Sequence, residues 1–130
     1  MAGALKELET EKAMIISSDT DEISISAETE VYEVAGTEIK NYTMVPEDYG
    51  FKRFAIEAIK ATDKKESAKI ILAVLTGKTG AARDIALINA GAAIYVSGIA
   101  NTIKEGIGLA EESIDSGKAL EKLEMLRGGI

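Results

Sequence analysis

Asp21 and Glu22 are the two residues of this 130-residue chain best placed to do chemistry. They stand side by side shortly after an apolar run, Ala13 to Ile16, that ends at Ser17 and Ser18. Four apolar residues without alternation predict a strand buried on both faces. In open α/β sheets, ligands gather beyond the carboxyl ends of such strands. An acidic pair at that point is a candidate metal or phosphate site. Adjacent acids on a loop are more often solvated surface, so the pair needs support from elsewhere.

The composition narrows which metal. The chain has no cysteine and no histidine, which removes thiol nucleophiles, the usual zinc ligand sets and histidine acid–base catalysis. A bound metal must then be a hard cation held by oxygens; Mg2+ is the expectation, with water or phosphate completing its shell. The net charge of −7 is lopsided, −6 over residues 1–65 and −1 over residues 66–130. An acidic chain without a basic stripe argues against nucleic acid as partner, and four scattered tyrosines and two phenylalanines make no stacking platform. No apolar run approaches a membrane span. The start, Met1-Ala-Gly-Ala-Leu-Lys-Glu7, lacks a signal-peptide layout, so a cytoplasmic protein is expected. The absence of tryptophan and glutamine, with abundant isoleucine, lysine and glutamate, fits a thermophilic source.

Other motifs favour structural readings. Thr76-Gly-Lys-Thr-Gly80 suggests a phosphate-binding loop, but the glycine that pattern needs is replaced by Leu72, and the segment joins helix to helix. It reads as a helix stop. Asp84, beside Arg83, suits the first turn of a helix. Asn89, inside an apolar helix, is expected to bond a neighbouring backbone rather than a substrate. Tyr95 reads as core, and Gly91 as a point of close packing or a small kink.

The elements that must position Asp21 and Glu22 follow from patterning. Residues 2–9 predict a helix with Leu5 and Leu8 on one face. After the strand at 13–17, residues 30–34 and 38–44 predict a hairpin joined by Ala35-Gly36-Thr37. Its mixed alternation places it at the periphery. Pro46 ends the second strand. Short helical residues 54–59 precede a helix capped by Asp63 with Glu66, with Ala68, Ile71, Leu72 and Leu75 on one face and Gly77 as its stop. Residues 81–97 form a helix apolar nearly all round. Thr102 with Glu105 opens another to about Asp115, and residues 118–126 a last one. The chain thus reads as a single partial α/β domain, 1–130: one buried parallel strand, a peripheral hairpin and five or six helices. A lone parallel strand has no ladder partner in the chain, which implies a segment of a larger domain, a homo-oligomer, or pairing with a second chain.

Four stretches, taken together and in order, resemble one family. They are Asp21-Glu-Ile-Ser24, Pro46-Glu-Asp-Tyr-Gly50, Arg83-Asp-Ile-Ala-Leu-Ile-Asn-Ala-Gly-Ala-Ala-Ile-Tyr95, and Ile103-Lys-Glu-Gly106 with Ile114-Asp-Ser-Gly-Lys-Ala119. The family is anthranilate phosphoribosyltransferase, and the resemblance is to its C-terminal part, from about Ala4 to Leu126. It implies a phosphoribosyltransferase-type α/β domain and an enzyme of tryptophan biosynthesis. That enzyme joins anthranilate to phosphoribosyl pyrophosphate (PRPP) and releases pyrophosphate, with Mg2+ as cofactor. By position, the family's metal-binding acidic pair falls on Asp21 and Glu22.

The departures from the family are equally specific. The N-terminal helical domain, the glycine-rich phosphate loop and a lysine-histidine-glycine-asparagine segment have no counterpart, and Ser17-Ser18 stand where the family often has histidine-glycine. The resemblance therefore implies a chain inactive alone, which takes up PRPP and anthranilate only with a complementary N-terminal half. A non-catalytic interaction module that keeps the scaffold is the alternative. A pyrimidine nucleoside phosphorylase is a third reading, opposed by the Pro46–Gly50 and Arg83–Ile85 stretches.

Overall fold

The computed structural model describes residues 11–128; the helix expected over residues 2–9 lies outside the described residues. Three strands come first, β1 (Lys12–Ser17), β2 (Thr29–Ala35) and β3 (Glu38–Met44). Two single 3-10 turns follow, Pro46–Tyr49 and Ile56–Ile59, and then four helices: α1 (Lys64–Leu75), α2 (Ala81–Val96), α3 (Ile103–Asp115) and α4 (Lys118–Gly128). Thr76–Gly80 joins α1 to α2, a helix stop as its sequence indicates.

The sheet is a meander in the order β1-β2-β3. This corrects the expectation of a lone parallel strand: β1 runs antiparallel to β2, with Ile15 opposite Tyr32 and Ile16 opposite Val31. The connection, residues 18–28, holds no helix, and a parallel neighbour needs a longer crossover. The apolar run misled because β1 is an edge strand among the described residues, and Ala13 to Ile16 are only half-buried. The hairpin is not peripheral either. β2 is the central strand, with Val31 and Val34 0% exposed, while β3 is its exposed half. Ala35 pairs with Glu38, so the turn is Gly36-Thr37 alone, and Gly36 takes the positive φ of 61° that a two-residue hairpin demands.

Met14, Ile16, Val31, Tyr42 and Met44 lie on the sheet face that packs against α2 and α3 through Leu87, Ile88, Ala92, Ile103 and Ile107. Both caps read from the sequence form. Asp63 Oδ1 accepts from Glu66 N at 2.8 Å, and Thr102 Oγ1 accepts from Glu105 N at 3.0 Å. Each contributes about 1 kcal/mol. The glutamates reach one residue further back than a capping box predicts, to Thr62 N at 2.7 Å and Asn101 N at 3.4 Å. On the apolar face of α1, Ile71 and Leu72 are 56% and 43% exposed, and Val74 is the buried residue of the helix.

The tightest joint is between α2 and α3. A Cβ on Gly91 would sit 2.6 Å from Ile107 N, and one on Gly106 would sit 3.0 Å from the carbonyl carbon of Gly91 and closer still to its oxygen. The close packing expected of Gly91 is therefore present: Gly106 meets the Gly91 backbone, and both the side chain and the backbone of Ile107 close over Gly91. Gly106→Ala is expected to cost about 1–3 kcal/mol. Gly108→Ala, on the same helix but facing open space, is expected to stabilise by about 0.5–1 kcal/mol. Urea unfolding should move the two midpoints in opposite directions.

Candidate functional site

Asp21 and Glu22 fall on the β1–β2 loop, at the carboxyl end of β1, and both are exposed. The chain on either side is not loose. Ser18 Oγ lies 2.7 Å from the Thr20 carbonyl and 2.6 Å from the Glu22 carbonyl, with one hydrogen to share, and accepts from Thr20 N at 3.0 Å. Thr20 Oγ1 donates to the same Glu22 carbonyl at 3.1 Å. Beyond the pair the chain dives inward: Ile23, Ser24 and Ile25 are all buried. Ser24 N donates to Thr29 Oγ1 at 2.9 Å, and Ser24 Oγ accepts from Ser26 N and Ala27 N at 3.0 and 3.1 Å. Phe54 N donates to the Ile25 carbonyl at 3.0 Å. The loop's polar backbone is thus largely satisfied by its own serines and threonines, which makes it a shaped element rather than a floppy connection.

Asn89 closes the structure from α2. Its Oδ1 accepts from Ile23 N at 2.8 Å, and its Nδ2 donates to the Ile23 carbonyl at 2.9 Å and to the Ile85 carbonyl at 2.9 Å. Both amide hydrogens are engaged, so the side chain has no donor left for a substrate. The expectation of a backbone partner is met, and the partner is the residue next to Glu22. On the same loop, Asp19 accepts from Ser26 Oγ. Hydrogen bonds from Ser24 and Ser26 hold its carboxyl below the usual range.

Glu22 also borders an apolar groove of about 660 Å³ between the helices, walled by Ile70, Val74, Ile85, Ile94 and Ile114. Arg83 is buried at the start of α2, with Nη2 3.0 Å from Asp115 Oδ1 and 3.5 Å from Glu111 Oε1. It ties α2 to α3, a role the sequence did not indicate. Asp84 sits in the first turn of α2 as expected, its carboxyl pushed up by partial burial against the pull of Arg83 and Lys52.

As a donor set, Asp21 and Glu22 suit a small hard cation. Neither is in an ion pair among the described residues. Those residues also hold no group of three or more acids able to enclose a metal, so the loop offers two carboxylates and leaves the remaining positions to water or a phosphate ligand. That is how Mg2+ is ordinarily held, through one or two carboxylates and a substrate's phosphates.

Among known protein families, residues 1–120 match the glycosyl transferase family, a/b domain. The chain belongs to that family. Within it, the chain is similar to the C-terminal part of anthranilate phosphoribosyltransferases. The enzyme of Methylobacillus flagellatus is 46% identical over 129 residues, a match covering 98% of this chain and 38% of that protein. The crystal structure of the Thermus thermophilus enzyme superimposes with a TM-score of 0.85 at 32% identity, covering 95% of this chain and 37% of that one. The Saccharomyces cerevisiae enzyme in complex with PRPP and Mg does so with a TM-score of 0.75 at 29% identity, covering 85% and 33%. The chain therefore spans well under half the length of the relatives it matches. The α/β class read from the sequence is the class of this glycosyl transferase domain.

One polar cluster in this family domain escaped the sequence reading. Glu33, read only as a strand residue, is buried on the helix-covered face. It accepts hydrogen bonds from Tyr42 Oη at 2.8 Å and from Tyr95 Oη, while Lys12 Nζ lies 3.5 Å over the Tyr95 ring. Tyr95 is part of the core margin as expected, but its hydroxyl has this second task. The register that places Glu33 beside Tyr42 depends on the two-residue turn, which the sequence reading had made three. Burial first, then the hydrogen bond and charge of Glu33, push Tyr95 up to about 12 and raise Tyr42 as well.

A tyrosine in the unfolded chain loses its proton near pH 10. The folded chain keeps both phenols protonated above that point, so the unfolded state binds fewer protons and stability must fall as pH rises from about 10 toward 12. Urea unfolding from neutral to alkaline pH should show that decline. In the Tyr42→Phe/Tyr95→Phe double variant the slope should flatten, while stability at neutral pH drops because Glu33 loses both donors.

Proposed function

We propose that this chain supplies the metal-holding corner of an anthranilate phosphoribosyltransferase acting in tryptophan biosynthesis. In that reaction the anthranilate nitrogen forms a bond to the anomeric carbon of PRPP, the bond from that carbon to pyrophosphate breaks, and the nitrogen gives up a proton. Asp21 and Glu22 are the residues that would hold Mg2+. When bound, the ion neutralises charge on the departing pyrophosphate. The observation that carries the reading is an exposed acidic pair, free of cationic partners among the described residues, on a hydrogen-bonded loop at the carboxyl end of a strand.

What the chain's own residues do follows from that placement. Two carboxylates facing outward repel an anionic substrate, so by themselves they bind no PRPP; they act as cation ligands and are useless as phosphate contacts. Ser18 and Thr20 keep the Glu22 carbonyl turned inward, which leaves the carboxylate the outward-facing group of that residue. The phosphate cradle and the anthranilate site lie in a complementary N-terminal half, whose glycine-rich and histidine-bearing segments have no equivalent in these 130 residues. The chain is accordingly one partial domain, inactive alone, and a cytoplasmic protein.

An anthranilate fluorescence assay with PRPP and Mg2+ tests this, run on the chain alone and on the chain mixed with a separately expressed N-terminal half of a related enzyme. Activity is expected only on mixing, and the Asp21→Ala/Glu22→Ala double variant should lose on the order of 100-fold. Full activity in that variant would remove the metal assignment, and turnover by the chain alone would remove the need for a second half. Silence in both arms from a stable homo-oligomer would instead favour a non-catalytic interaction module, the reading to which the open apolar face of α1 at Ile71 and Leu72 lends weight.

A further inference from the structure

The position of Asn89 is costly unless it serves something. α2 is apolar nearly all round, and an asparagine in a helix interior is both a weak helix former and a polar group that needs partners. A leucine or alanine would suit the helix better. What Asn89 does there is narrow: it grips both polar atoms of one residue, Ile23, across a sequence separation of 66. The Ile23 N–H belongs to the same peptide group as the Glu22 carbonyl, and that carbonyl is bonded by Ser18 and Thr20. One peptide plane is therefore held at its carbonyl from the loop and at its N–H from the helix. The Glu22 side chain leaves the backbone at the Cα that begins this plane, and Asp21 is one residue before it.

We propose that Asn89 is a positioning residue for the metal site, fixing the peptide plane that begins at Glu22 and so setting where the acidic pair stands. This rests on the metal reading of those two acids. The demand on the side chain is specific. It must accept at one atom and donate at another, at a reach that spans from helix to loop while still donating to Ile85. Aspartate can accept but cannot donate, alanine can do neither, and glutamine is one carbon too long. Ligands on a mobile backbone lose ordering entropy when the cation binds; an acidic pair that ends on a fixed plane loses less, and residues that orient metal ligands typically govern affinity by 10–100-fold.

The test uses Mn2+ as the probe, its dissociation constant measured on the 130-residue chain by water-proton relaxation, alongside thermal unfolding of each variant. Asn89→Ala and Asn89→Asp are expected to weaken Mn2+ binding by about 10–100-fold. Ile107→Val, which trims the α2–α3 core and lowers stability without touching the loop, should leave the constant unchanged. If Asn89→Ala fails to fold, the isosteric Asn89→Asp carries the test. Wild-type affinity in both Asn89 variants would overturn the positioning role while leaving the metal reading intact, and an equal loss in Ile107→Val would overturn it as a mere stability effect. A wild-type chain that takes up no Mn2+ would overturn the metal reading itself, and the role of Asn89 with it.

Discussion

The peptide group between Glu22 and Ile23 is held at both of its polar atoms, and much of the molecule is arranged so that it can be. Its N–H is reached from α2 by Asn89 Oδ1, and its carbonyl is reached from within the loop by Ser18 and Thr20. For the first contact to exist, α2 must lie across the sheet at one height and one rotation, since an asparagine has a single short reach. Leu87 and Ile88, in the turn carrying Asn89, are sunk in the core against the sheet and set that rotation. The hydrophobic packing and the polar clamp are thus two expressions of one geometry. Neither would specify the loop alone: packing is non-directional, and a single amide could not seat a helix.

The clamp also separates two kinds of surface. On one side of it stand exposed carboxylates; on the other, an apolar groove that Glu22 borders. The same border explains why the pair sits on a connection between strands rather than on a helix. A β1–β2 loop can dip into the core at Ile23 to Ile25 and return, presenting two side chains outward at the top of the dip.

Much of this could be read from the residues alone. Caps at Asp63 and Thr102, the helix read over 81–97, the glycine stop at Gly77 and the strand read at 13–17 are local signals, each set by neighbours within a few positions. What could not be read was pairing. The run Ala13 to Ile16 looks the same whether its partner is parallel or antiparallel, because apolar count reports burial and not direction. Mistaking the turn at Gly36 by one residue hid the cluster of Glu33, Tyr42 and Tyr95, since cross-strand neighbours depend on register. Asn89 was identified as needing a backbone partner, yet nothing local could say which one, with the answer 66 residues away. The acidic pair was visible by type and by resemblance, whereas the Ser18 and Thr20 bonds that shape its loop became evident only with coordinates.

Two helices meeting backbone to backbone at Gly91 and Gly106 have a consequence for the loop. Most interhelical joints are cushioned by side chains, whose rotamers multiply on warming and let one rod ride up on the other. Here the Gly91 carbonyl faces Gly106 with no room for a Cβ between them. Gly91 stands two residues beyond Asn89, so the fulcrum of α2 lies almost under the clamp. Any substitution that forces the two helices apart at this contact therefore acts within two residues of the clamp on the loop.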